Sequence, residues 1–155
     1  MVDRDLNRTR YMGRVGLDLF LRVSVIVGEI FDGDLISGLA FYSIAHANVR
    51  HLNQPRVLNP LAEEGLFADS LRQPVSCYSV AKQLGMSRET IRRHTLRLVA
   101  DGLCIQTEER KYYVPAAVLS DPRFSRLSRM LEDELDSAFR DVRRSNLTVD
   151  VAGPD

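Results

Sequence analysis

Hydrophobic positions between Asp5 and Asn53 recur in steps of three and four, the spacing that gathers side chains on one side of a helix. The pattern breaks at Phe31-Asp32-Gly33-Asp34, where Asp-Gly signals a turn and Asp34 is placed to cap the next helix. Two helices are therefore expected, paired as an N-terminal hairpin over residues 1–53. In the first, Leu17, Phe20, Leu21, Ser24, Ile26, Val27, Ile30 and Phe31 cover more than one narrow stripe, which calls for burial on two sides. In the second, Ile36, Leu39, Ala40, Ile44, Ala47 and Val49 repeat at helical spacing, and Arg50 suits the negative end of the helix dipole. Residues 54–72 contain Pro55, Pro60 and Gly65, which interrupt regular structure; they form a linker in which Leu61 to Leu71 can supply one short helix.

Residues 73–119 carry the most information. Ser76 can cap a helix that reaches Leu84 with Val80, Ala81 and Leu84 on one face. Gly85-Met86-Ser87 follows as a turn, Gly85 supplying a left-handed backbone position and Ser87 capping a second helix that runs to about Asp101. Ile91, Thr95 and Leu98 face inward on that helix, and Gly102 ends it. Cys104 and Ile105, then Tyr112 and Tyr113, flank the polar tip Glu108-Glu109-Arg110, which reads as a β-hairpin.

In the window Cys77 to Leu96, a small Ala81 stands where two helices cross, Gly85 in the turn and Ile91 where the second helix packs back. The run Val80-Ala81-Lys82-Gln83-Leu84-Gly85-Met86-Ser87-Arg88-Glu89-Thr90-Ile91-Arg92-Arg93-His94, followed by Leu98-Val99-Ala100-Asp101-Gly102-Leu103, resembles winged helix-turn-helix bacterial transcription regulators of the broad GntR and IclR kind. It covers about a third of the chain. His94 departs from the pattern at a position usually apolar. The resemblance implies a mainly α fold whose winged helix-turn-helix domain, residues 73–119, has a small β-hairpin wing. That domain is flanked by the N-terminal hairpin and a C-terminal helix. It also implies sequence-specific binding to double-stranded DNA, as a transcription regulator.

Charge distribution points the same way. The chain is neutral overall, with 21 Lys and Arg against 21 Asp and Glu. Between Arg72 and Tyr113, however, eight basic residues face four acidic ones, so a polyanion has a local place to bind. Arg88, Glu89, Arg92, Arg93 and, a turn later, Arg97 fall on the outward positions of the second helix. Arginine suits bidentate recognition of guanine, and Glu can accept from cytosine N4. The plainer reading of this face is a solvated surface in which Glu89 pairs along the helix with Arg92 or Arg93. Arg110 and Lys111 at the hairpin tip are candidates for the flanking groove or backbone, with Glu108 and Glu109 cancelling them in the alternative; Ser76 and Lys82 are candidate phosphate contacts, and Ser87 is a further candidate DNA contact.

From Asp121-Pro122, a helix-start signal, apolar residues recur at Phe124, Leu127, Leu131, Leu135, Ala138 and Val142. This amphipathic helix, residues 120–146, either packs on the N-terminal hairpin or pairs with a second subunit, and both can hold. Leu17, Leu21, Ile36 and Leu39, with Leu127, Leu131 and Leu135, are the candidate surface of a homodimer. Residues 147–155 read as a frayed tail.

Other classes find little support. With 45% hydrophobic and 27% charged residues, the composition excludes collagen-like and wholly disordered chains. Cys77 and Cys104 are expected as reduced thiols in the cytoplasm, because the charged stretch Met1 to Arg14 does not resemble a secretory signal. Val15 to Phe31 is interrupted by Asp18, Arg22 and Glu29, too polar for a membrane span. His46, His51 and His94 have no metal-ligand spacing, and no nucleophile with a partnered base or phosphate-binding loop is found, so no enzyme, metal or cofactor is expected. Two alternatives stay open: a winged helix that grips an acidic protein partner, and a ligand-responsive regulator with a small-molecule effector held by the N-terminal helices. For the second, Phe20, Phe31, Phe41 and Tyr42 are the aromatic candidates, more readily read as core.

Overall fold

A computed structural model describes residues 4–52, 62–63 and 66–144. The chain runs α1 (Arg4–Ile30), α2 (Leu35–Val49), a 3-10 turn (Arg50–Leu52), β1 (Ala62–Glu63), β2 (Leu66–Phe67) and a 3-10 turn (Asp69–Leu71). It continues α3 (Cys77–Leu84), α4 (Arg88–Ala100), β3 (Ile105–Gln106), β4 (Tyr112–Tyr113), α5 (Ala116–Ser120) and α6 (Pro122–Arg144). The fold is mainly helical, with two small antiparallel strand pairs, β1–β2 and β3–β4.

The compact units divide the chain differently from a division at residue 53. Residues 27–125 form one unit, and the described parts of 1–26 and 126–155 form the other. The reason lies in α2, which offers no polar face: Ser37, Gly38, Ala40, Phe41, Ser43, Ile44, Ala45 and Asn48 are all buried, so the helix is enclosed by α3 and α4. At Gly38 a Cβ would overlap Val27 and Phe31, so only glycine lets the end of α1 approach α2 this closely. Asp34 caps α2 by accepting from Ser37 N at 3.0 Å, as its position in the sequence predicts. Its turn places Asp32 (φ 52°) and Gly33 (φ 88°) in the left-handed region.

Phe31, Phe41, Tyr42 and Phe124 pack ring against ring in the larger unit, with Phe41 stacked on Phe124 at 4.8 Å between centroids. These rings fill their own space, and burial pushes the Tyr42 hydroxyl up to about 12. Arg123 closes the C-terminus of α1 by donating from Nε to the Ile30 carbonyl at 2.9 Å.

The described residues between Leu61 and Leu71 do not supply an α-helix. They form the pair β1–β2 followed by the 3-10 turn, where Asp69 Oδ1 accepts from Ala116 N at 2.7 Å and fixes the start of α5. A helix there would have to run through Gly65, which disfavours it. The sequence reading also has no counterpart for α5 itself. The tail from residue 147 and most of the linker lie outside the described residues.

In the smaller unit α1 and α6 lie antiparallel. Tyr11 donates its hydroxyl to the Asp141 carbonyl at 2.9 Å, and Arg22 Nη1 meets Glu134 Oε2 at 2.9 Å. Between those ties run Val15, Leu19 and Ala138 among charged neighbours, Arg14, Asp18 and Asp141.

Candidate functional site

Two capped helices and a hairpin build the site. Ser76 Oγ accepts from Ser79 N at 3.2 Å and Ser87 Oγ from Thr90 N at 3.1 Å, so α3 and α4 start at their serines. Gly85 closes α3 with φ 64°, and Gly102 follows α4 with φ 73°. Three residues, Gly85, Met86 and Ser87, thus separate the helices. Val80 and Ala81 on α3 are buried, as are Ile91, His94, Thr95 and Leu98 on α4.

Beside them β3 and β4 pair Ile105 with Tyr113 and Gln106 with Tyr112. Val75, just ahead of α3, exchanges two backbone hydrogen bonds with Tyr112, 2.9 and 2.8 Å long, which adds a third extended segment to the hairpin. The junction is held by Asn48 of α2, which is fully buried. Its Nδ2 donates to the Gln73 carbonyl at 2.8 Å and the Tyr112 carbonyl at 3.1 Å, and its Oδ1 accepts from Val114 N at 3.0 Å. Nothing in the helical pattern of α2 marks this residue out.

Every candidate contact on α3 and α4 except the half-buried Ser76 is exposed: Lys82, Ser87, Arg88, Glu89, Arg92, Arg93 and Arg97. They are not equally available. Glu89 and Arg92 form a two-point pair, Nε to Oε2 at 2.9 Å and Nη2 to Oε1 at 2.7 Å, the intrahelical pairing weighed from sequence. The hydrogen bond from Arg92 is the main cause that holds the Glu89 carboxyl below its ordinary value. Arg97 donates from Nη1 to Asp34 Oδ2 at 2.8 Å, which ties the last turn of α4 to the first turn of α2. Among the described residues Arg88 and Arg93 have no side-chain hydrogen bond or ion-pair partner in the protein, and both are exposed on the outer face of α4. At the hairpin tip Arg110 is exposed with a left-handed backbone, φ 57°, while Lys111 Nζ bonds Glu109 Oε2 at 2.7 Å.

His94 explains its departure from the apolar pattern. It is buried, with Nδ1 2.9 Å from Ser37 Oγ and 3.3 Å from Asp34 Oδ2. Ser37 Oγ also donates to Asp34 Oδ2 at 2.7 Å. Serine and carboxylate meet the same ring nitrogen, so the group lacks the relay order of a catalytic triad and acts as a polar joint between α2 and α4. Burial pushes the Asp34 carboxyl up, but the Ser37 N–H and hydroxyl, His94 and Arg97 outweigh it and hold it below its ordinary value.

The candidate dimer residues separate into three kinds. Leu17, Leu21 and Leu135 are exposed; Ile36, Leu39 and Leu131 are half-buried; Leu127 is buried inside the chain, so its side chain is closed to a partner. Among the described residues no helix is long and apolar enough to cross a membrane, and no His, Cys, Asp and Glu cluster is placed to hold a metal ion.

The chain matches no protein-family model, no curated protein and no solved structure. The functional reading therefore rests on the geometry of this site.

Proposed function

We propose that residues 73–119 act as a winged helix-turn-helix module that binds double-stranded DNA, with α4 as the recognition helix and the β3–β4 hairpin as the wing. In this reading the chain is a sequence-specific transcription regulator that works as a homodimer on a pseudo-palindromic operator. The carrying observation is the two-sidedness of α4. Ile91, His94, Thr95 and Leu98 anchor one side, while Arg88, Arg92 and Arg93 stand exposed on the other behind a Ser87-capped N-terminus. A helix held in this way can enter the major groove and meet base edges and phosphates. Arg88 and Arg93 suit base reading, because no protein carboxylate has to be given up first. Arg92 suits a phosphate contact that competes with Glu89.

One module contacts few base pairs, and a genome offers very many competing sites, so a symmetric pair discriminates far better than one. The aromatic cluster of Phe31, Phe41, Tyr42 and Phe124 is filled by its own rings, which gives the effector alternative no support there.

The test is selection from randomised duplexes by the full chain, then fluorescence anisotropy at several salt concentrations. A steep loss of affinity with salt is expected, together with a recovered inverted repeat. Arg93→Ala should relax preference at single base pairs by roughly 1–3 kcal/mol. Affinity that ignores ionic strength, or no enriched sequence, overturns the reading.

A further inference from the structure

Helix α1 has two apolar sides, and the chain uses one. Tyr11, Val15, Leu19 and Arg22 lie toward α6. Leu6, Leu17, Phe20, Leu21 and Val25 point away from it and are between 52% and 68% exposed. Large apolar residues at this exposure are isolated events on most protein surfaces, but here they share one helix face. The same face carries Gly13 and Gly28, and a Cβ at either would meet nothing within 4 Å. Glycine inside a helix weakens it, and no packing among the described residues accounts for these two.

We infer that the outward face of α1 is a self-association surface whose occupant is α1 of a second copy, lying antiparallel about a two-fold axis at Leu17. The inference deepens the homodimer of the proposed function and rests on that part of it, without depending on DNA. Its first support is self-complementarity. In steps of three and four the face reads Leu6, Arg10, Gly13, Leu17, Leu21, Ser24, Gly28. An antiparallel copy centred on Leu17 sets Gly13 against the partner's Leu21, Arg10 against the partner's Ser24 and Leu6 against the partner's Gly28. Gly13 and Gly28 then each face a leucine, Leu17 meets its own copy on the axis, and every contact recurs in reverse, as a two-fold interface requires. The small residues let the backbones approach, which supplies a reason for both glycines.

The second support is area. At about 200 Å² for a fully exposed large apolar residue, the five side chains offer roughly 600 Å² per copy. Two copies together hide roughly 1,200 Å², above the roughly 1,000 Å² expected of a specific interface.

Sedimentation velocity of the full chain at about 10 μM tests the inference. The expected wild-type mass is about 35 kDa, twice the 17.6 kDa of one chain. A Leu17→Glu/Leu21→Glu variant should run as a monomer with unchanged helical circular dichroism, because both side chains are exposed and outside the core. In a Cys77→Ser/Cys104→Ala background, Leu17→Cys should form a disulfide-linked dimer on mild oxidation, while Val15→Cys, on the α6 side, should not. A monomeric wild type, as when residues 145–155 or a different protein cover the face, overturns the inference. So does a dimer that survives the glutamates, or equal cross-linking at positions 15 and 17. No DNA is present, so a monomeric wild type that still binds duplex in a salt-dependent way would sink this dimer and leave single-site DNA binding standing.

Discussion

Replacing Asn48 by alanine should cost about 3 kcal/mol of stability, a figure that follows from its three hydrogen bonds. Val114, whose N–H bonds Asn48 Oδ1 at 3.0 Å, is fully buried, so the substitution orphans a donor that water cannot reach. That alone costs about 1–3 kcal/mol. The Tyr112 carbonyl suffers less, because it also accepts from Val75 N at 2.9 Å. Gln73 is exposed, so water can replace the bond at its carbonyl. These two losses together add about 1–2 kcal/mol. For a chain of 155 residues the total lowers Tm by roughly 6–12 °C. Urea titration followed by circular dichroism measures the difference, with His46→Ala, exposed on the same helix, as a control expected within about 0.5 kcal/mol of wild type. If Asn48→Ala falls within about 1 kcal/mol of wild type, the three bonds do not hold the hairpin to α2, and the account of the junction is wrong.

Three further outcomes follow from the ion pairs and thiols. Glu89→Gln should release Arg92 and steepen the salt dependence of binding to random duplex by about one counterion, measured by anisotropy; an unchanged slope would mean that Arg92 does not reach phosphate. Asp34 has a folded pKa below its ordinary 3.8, so the unfolded chain takes the proton first as pH falls. Its contribution is present above about pH 4 and lost on further acidification, so wild-type Tm should drop more steeply there than that of Asp34→Asn; parallel Tm curves from pH 6 to 2.5 would refute the assignment. Burial raises the Cys104 thiol to about 12, so a thiol reagent at about pH 8 should label only the half-buried Cys77 in the native chain and both residues in denaturant. Two equivalents reacting together without denaturant would contradict the burial of Cys104.

The elements written most plainly in the sequence are those decided by neighbours within a few residues. Ser76, Gly85, Ser87 and Gly102 mark the ends of α3 and α4 because a cap satisfies backbone groups of its own first or last turn. Asp34 does the same for α2, and Asp121, whose Oδ1 accepts from Arg123 N at 2.8 Å just past Pro122, does so for α6. The two apolar stripes of α1 are equally legible, since helical periodicity needs no partner to be seen. Which stripe the chain buries is not, and only the packing against α6 assigns it. Burial on several sides makes α2 an enclosed helix of the larger unit, and its Asn48 and Gly38 acquire their roles from residues outside the helix. The arginines show the same division. Their place on the outer face of α4 follows from spacing, but the tie between Arg97 and Asp34 joins positions 63 residues apart. A long-range ion pair leaves no periodic trace, because it depends on where two helices cross, and that crossing is decided by the whole core.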